Sequence, residues 1–205
     1  EFTVQRKLPK RSVVMYESSD TATENVLFAA SLTPGKTTIR MATANYMIQD
    51  VCLYLNRLGV KIEGIGTTTL VVHGLSSFPK KSVSFTPTED PVEAMTFVAA
   101  AITTNSKITI RRVPIEFMEL ELLKLEKMGL MYEMSESYKA DNNFTDLVDL
   151  TILKHDGKLV ASEDKIETRP FPGLNIDNLP YFVPICAVAK GETLIHDWVY
   201  EDRAL

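Results

Sequence analysis

The sequence predicts a layered α/β protein built on a recurring β-α-β-α-β-β unit. Three observations lead there. Two stretches of the 205-residue chain share a phrase order: "LNRLGVKIE" falls on "LEKMGLMYE" when Gly59 is set against Gly129, 70 apart, and "KTTIR" falls on "KITIR" when Ile39 is set against Ile110, 71 apart. The apolar pattern switches repeatedly between the period of helices and that of strands. Helices apolar on nearly every side alternate with helices apolar on one side, as inner and outer layers around a sheet require.

Each element follows in order. The first copy opens on a β-rich run, "SVVMYE" at 12–17, and the second on "SVSFTP" at 82–87; "KLVASEDKIE" precedes the third. A capped helix comes next. Thr21-Ala22-Thr23-Glu24 reads as a capping box, and Asp90-Pro91-Val92-Glu93 as another with proline at the first helical position. The helices that follow are apolar nearly all round: Val26 to Ala30, Phe97 to Ile102 and Phe182 to Ala189. An alternating strand comes next, such as Lys107 to Arg111. The second helix of each copy is one-sided. Ile48, Val51, Cys52, Leu55 and Leu58 share a face, as do Ile115, Met118, Leu122 and Leu125, leaving Glu119, Glu121, Lys124 and Glu126 for solvent. Gly59 and Gly129 end these helices. A hairpin closes each copy, with "GIGTTT" (64–69) as a turn and "SYKADNNF" (137–144) as a tip. The boundary between copies falls in 75–91, and "TRPFPGLNIDNLP" (168–180) is an irregular loop before the third inner helix. One such unit cannot bury its inner helix on all sides, so several are expected to pack together. The third copy reaches Leu205 after only a helix and a strand, and the chain opens without methionine, so a fragment is expected.

Composition bounds the function. At 45% hydrophobic and 24% charged, the chain is globular, and a net charge of -5 argues against nonspecific nucleic-acid binding. No apolar run reaches the roughly 18 residues that span a bilayer. Two cysteines lie in apolar helical patterns without metal-like spacing and three histidines are scattered, which fits a reduced, cytoplasmic protein with no metal. No Ser-His-Asp, Cys-His or zinc spacing occurs.

The candidate site lies where the inner helices begin, because helix N-termini carry unpaired N–H groups and positive partial charge suited to phosphate. Ser19, Thr21 and Thr23 offer hydroxyls there, although helix capping explains them equally. Asp20 and Glu24 repel an anion unless they face elsewhere. Asp177, before the third inner helix, is either a cap or a carboxylate able to take a proton from a substrate hydroxyl. Arg203 is either a surface partner of Glu201 or Asp202, or a cation at the ligand mouth.

Several of these stretches together resemble the enolpyruvyl transferase family: "SDTATENVLFAASLTPGKTTI", "QDVCLYLNRLGVKIEGIGTTTLVVHG", "FVAAAIT", "PFPGLNIDNLP" and "AKGETLIHDWVYEDRAL". The resemblance is strongest to the members that act on UDP-N-acetylglucosamine, and it runs over nearly the whole chain. It implies an inside-out α/β barrel of two domains, each of three β-α-β-α-β-β units, with ligands held in the cleft between domains. The full enzyme would be about twice this length. Residues 1–87 would be the last unit of the first domain, and 88–205 one full and one partial unit of the second. The reaction implied is transfer of enolpyruvyl from phosphoenolpyruvate to the sugar 3-hydroxyl with release of phosphate, without cofactor or metal.

The family's nucleotide loop, Ser-Val-Gly-Ala-Thr-Glu-Asn, falls on Ser19 to Asn25, matching Ser19, Ala22, Thr23, Glu24 and Asn25 and departing at Asp20 and Thr21. Its Phe-Pro-Thr-Asp-Met-Gln falls on Leu174 to Leu179 and places the proposed base on Asp177. Its Thr-Val-Phe-Glu-Asn-Arg falls on Trp198 to Arg203, so that Val199 would line the nucleotide-sugar site and Arg203 the anionic reaction centre. Its Arg-Glu-Pro-Glu-Ile-Val-Asp is "ANYMIQD" here, in which Ile48 and Asp50 survive. The resemblance places the catalytic-loop cysteine and the other substrate-binding cations outside this chain, so the remainder of the same enzyme is the expected partner and the chain alone is expected to be inactive. Another acceptor, such as shikimate 3-phosphate, and a non-catalytic nucleotide-sugar-binding paralogue remain open at this point.

Overall fold

A computed structural model describes residues 12–80, 82–155, 159–161 and 165–199. Its contacts divide the chain into two compact units, Glu1–Pro87 and Thr88–Leu205.

The first unit runs β1 (Ser12–Val14), α1 (Asp20–Ser31), β2 (Gly35–Arg40), α2 (Tyr46–Arg57), β3 (Lys61–Glu63) and β4 (Thr69–Gly74). Its sheet has the order β1-β2-β4-β3, with β1 parallel to β2 and the other pairs antiparallel. Alternation along the strands turns Ile39, Ile62, Leu70 and Val72 to one face, and Leu27 and Ala30 of α1 with Ile48, Cys52 and Leu55 of α2 complete the core there. Burial pushes the Cys52 thiol up to about 12, so it is an inert packing residue.

The second unit runs α3 (Pro91–Thr103), β5 (Ile108–Pro114), a 3-10 turn (Ile115–Phe117), α4 (Glu119–Lys127), β6 (Tyr132–Met134), β7 (Tyr138–Lys139), β8 (Asp146–Ile152), β9 (Ile166–Glu167), a 3-10 turn (Ile176–Asn178), α5 (Leu179–Val188) and β10 (Ile195–His196). Its main sheet has the order β5-β8-β6, with β7 also on β8, and β9 and β10 form a parallel pair. Met95, Val98 and Ile102 of α3 join Leu179, Phe182 and Ile185 of α5 and Leu122 and Leu125 of α4 in one core.

The two units carry the same backbone devices at matching places. Gly59 and Gly129 adopt φ of 100° and 99°, and each follows its helix with paired closing bonds: Gly59 N–H to Asn56 and Val60 N–H to Leu55, then Gly129 N–H to Glu126 and Leu130 N–H to Leu125. Only a residue without a side chain holds that conformation at little cost. Met41 and Arg112, 71 apart, are both left-handed, at φ of 59° and 61°.

Several expectations need correction. Ser19, not Thr21, caps α1, its hydroxyl accepting from Ala22 N–H. Residues 82–87 form no strand; Ser84 instead accepts from Arg57, and Phe85 packs edge-on against Tyr54. In the expected third opening strand only Ile166 and Glu167 pair as a strand among the described residues. Glu121 is not on the solvent face: it is 2% exposed. The inner helices are not covered all round, since Phe28 of α1, Phe97 of α3 and Val183 of α5 are 48%, 45% and 53% exposed. A single unit has too few layers to enclose a helix that is apolar on every side. Asp90 and Pro91 start α3 as expected, with Asp90 Oδ1 accepting from Val92 N–H at 2.8 Å.

Candidate functional site

Two helix starts carry the candidate residues, one in each unit. At the start of α1, Ser19 Oγ accepts from Ala22 N–H at 3.4 Å. Thr23 is fully buried. Its hydroxyl donates to the Ser19 carbonyl at 2.7 Å and accepts from Thr43 N–H at 3.3 Å, tying the helix to the loop after β2. Thr23 therefore supports this loop from beneath, while Thr21 is exposed beside it. Asp20 faces Asn45, whose side-chain amide donates to Asp20 Oδ2 at 3.2 Å. Asn45 in turn caps α2, its Oδ1 accepting from Tyr46 N–H at 2.9 Å. Asp20 and Asn45 are two of the positions at which the chain departs from the motifs described above, and they touch. Gln49, a third, is buried and donates to the Ala44 carbonyl at 2.9 Å. The Asp20–Asn45 bond thus joins the two stretches in which the departures lie.

At the start of α5, Asp177 lies exposed in a 3-10 turn. The side chain that caps the turn is Asn175, whose Oδ1 accepts from Asp177 N–H at 2.9 Å, so the capping role considered for Asp177 falls to Asn175. Beneath the turn lies Glu121 of α4. Its Oε1 accepts from Asn175 N–H at 3.1 Å and from the Asn178 side-chain amide at 2.9 Å. Burial pushes the Glu121 carboxyl above its ordinary value, and the bonds from Asn178 and Asn175 pull against that shift. Sequence reasoning missed Glu121. The signal available was Asn178 at the start of an apolar helix, whose buried side-chain amide needs an acceptor.

The loop leading to this turn is anchored along its length. Glu167 pairs with Lys165 and Arg169, each at 2.7 Å, and hydrogen bonds from those two cations hold its carboxyl down at about 2. Trp198 Nε1 donates to the Thr168 carbonyl at 2.9 Å, which ties the segment carrying half-buried Val199 to the head of the loop. Gly173 sits where a Cβ would stand 2.4 Å from that of Arg169, so a side chain there would force the loop open. Phe171 packs on Phe117 at 5.3 Å, and Leu174 is buried. Arg203 lies outside the described residues.

A separate cavity of about 510 Å³ lies in the second unit against α3 and β5, lined by Glu89, Glu93, Phe97, Ile110, Arg111 and Arg112. The Arg112 guanidinium is held by Glu89 and by Asp141, and its backbone N–H donates to Asp149 at 3.1 Å. Asp177 does not line this cavity. Among the described residues, no group of three or more His, Cys, Asp or Glu is placed to hold a metal ion, and no helix is long and apolar enough to cross a membrane.

Comparison with known proteins matches residues 2–203 to the family described as EPSP synthase (3-phosphoshikimate 1-carboxyvinyltransferase). The UDP-N-acetylglucosamine 1-carboxyvinyltransferase of Aeromonas hydrophila is 33% identical over 98% of this chain and 44% of its own length. That of Chlorobium luteolum is 36% identical over 91% and 40%. The chain therefore spans less than half the length of these relatives. Among solved structures, the enolpyruvyl transferase NikO from Streptomyces tendae superposes with a TM-score of 0.74 at 22% identity, covering 94% of this chain and 45% of that one. EPSP synthase from Acinetobacter baumannii does so at 0.66 and 17% identity, covering 90% and 39%. These likenesses show the fold. On the match over nearly all of its length, this chain belongs to the EPSP synthase family, the enolpyruvyl transferases.

Proposed function

We propose that the full-length protein containing this chain transfers the enolpyruvyl group of phosphoenolpyruvate to the 3-hydroxyl of UDP-N-acetylglucosamine, the first committed step of peptidoglycan precursor synthesis. The observation that carries this reading is Asp177, an exposed carboxylate on a turn fixed from below, at the position where the family resemblance puts the base. The names of the relatives at 33% and 36% identity support the acceptor. In this reading the acceptor oxygen bonds to C2 of the enolpyruvyl group in place of the phosphate oxygen. Phosphate leaves, and Asp177 takes the hydroxyl proton. Ser19, Asp20 and Thr21 border the nucleotide-sugar site, with Thr23 supporting them from the interior. By the same resemblance Val199 would line the nucleotide-sugar site and Arg203 the anionic reaction centre. Residues 1–87 belong to the last unit of one domain and 88–205 to another. The remaining residues of the same enzyme complete the site, so the chain alone is inactive. Two unpaired thiols fit a reducing cytoplasm.

One observation favours a second reading. The Asp20–Asn45 contact puts an added carboxylate at the start of α1, at the position where the family loop has valine, and a carboxylate beside a pyrophosphate lowers affinity. A different acceptor, such as shikimate 3-phosphate, or binding without turnover, would accommodate it.

Phosphate release by the full-length protein separates these readings. With phosphoenolpyruvate and UDP-N-acetylglucosamine, release is expected, and Asp177→Asn is expected to cut it by about 10²–10⁴-fold. Release with shikimate 3-phosphate alone would replace the acceptor. Release with neither, alongside measurable nucleotide-sugar binding in calorimetry, would leave a binding protein.

A further inference from the structure

We infer that Glu121 is the positioning residue for Asp177: a buried carboxylate that holds the turn on both sides of the proposed base and so fixes where that base stands. This inference rests on the reading of Asp177 given above.

The geometry is specific. A single oxygen, Oε1, receives the Asn175 N–H from the residue two before Asp177 and the Asn178 amide from the residue after it. Asn175 then passes the constraint on, its Oδ1 accepting the N–H of Asp177 itself. The turn is clamped at both flanks by one acceptor. That acceptor comes from α4, more than fifty positions earlier, so the hold is tertiary and not a local turn bond. Its cost shows that the arrangement is not incidental packing. Glu121 is 2% exposed, no cation forms an ion pair with it among the described residues, and an apolar side chain of similar size would fill the space without burying a carboxyl. Asn178 is likewise fully buried. Apart from a bond to its own backbone N–H, the partners this buried carboxyl receives are the two flanks of one exposed carboxylate, and the placement of that carboxylate accounts for them. Small displacements of a reacting group are costly to rate, which gives such a clamp its value.

The test uses the full-length protein with the variants Glu121→Gln, Glu121→Met, Asn178→Ala and Asp177→Asn, reading kcat and KM for phosphoenolpyruvate by phosphate release. Glu121→Met is expected to lower kcat by about 10- to 100-fold while KM stays within about threefold, and Glu121→Gln, which keeps an acceptor oxygen, to recover most of that loss. In an Asp177→Asn background, Glu121→Met is expected to cause no further loss of kcat, because the residue it positions is already gone. A wild-type kcat in Glu121→Met, or an additive loss in the double variant, overturns the inference. If Glu121→Met is not recovered folded, Asn178→Ala takes its place in the same cycle with the same criteria. An inert Asp177→Asn with a fully active Glu121→Met defeats only the positioning role. An active Asp177→Asn defeats the assignment of the base, and this inference falls with it.

Discussion

The starts of α1 and α5 hold their exposed residues by different means. At α1 the support is by neutral hydroxyls: a serine cap, and a buried threonine whose hydroxyl spans from the Ser19 carbonyl to Thr43. At α5 the support is a buried carboxylate borrowed from another helix. In the first arrangement the serine and threonine hydroxyls each meet a neutral backbone partner, and Asp20 beside them is held, among the described residues, through Oδ2 alone. The second stakes the loop on a charge that is costly to bury and can receive several donors at one point. A loop that must only border a ligand can be built the first way. A turn that must present one carboxylate at a defined place gains from the second.

The contrast can be broken by removing each support. The largest stability effect is expected for Glu121→Met, which leaves Asn175 N–H and the Asn178 amide buried without their acceptor, at about 1–3 kcal/mol for each orphaned donor, offset in part by the lost burial of charge. Denaturant unfolding of the full-length protein would show it. Thr23→Val is expected to cost about 1–3 kcal/mol, because Thr43 N–H loses its partner in a buried setting, and Thr23→Ser to restore most of it. If Thr23→Val were as costly to turnover as Glu121→Met, the supports would be equivalent and the contrast false. Ser19→Ala should cost about 1 kcal/mol, as a lost N-cap does, with Asp90→Ala at α3 a matched control in the second unit.

Much of the fold was legible, and the reasons are local. The face of Ile48, Cys52 and Leu55, the proline-led start of α3 and the glycine ends at 59 and 129 are each set by residues within a few positions. The candidate site was legible only in part. Asp177 stood out as an acid in a proline-rich loop, but Glu121 looked like any acid on the polar side of a helix. Only a loop more than fifty positions later turns that side into an interior. The same limit applies to 82–87, whose alternation reads as a strand until Phe85 finds Tyr54. The exposed Phe28, Phe97 and Val183 show the converse: composition announced helices for burial that these two units do not supply.

The finest test of the contrast is the sign of the pH dependence, because among the shifted carboxyls of the second unit Glu121 and Glu167 move in opposite directions. Burial raises Glu121 above the ordinary 4.5, so the folded state binds its proton more tightly than the unfolded chain does. Its contribution to stability therefore declines as pH rises from 4.5 through the raised value. Hydrogen bonds from Lys165 and Arg169 lower Glu167 to about 2 from 4.5, so its contribution is present above 4.5 and is lost as pH falls toward 2. Both cations that hold Glu167 are largely exposed, so that effect is small and weakens with salt. Melting temperature measured against pH should show Glu167→Gln flattening only the acid side, in a salt-dependent way. Glu121→Gln should flatten only the decline above 4.5, with little response to salt. Identical profiles for the two variants would mean that Glu121 behaves as a solvated surface acid, and the clamp beneath Asp177 would lose its physical basis.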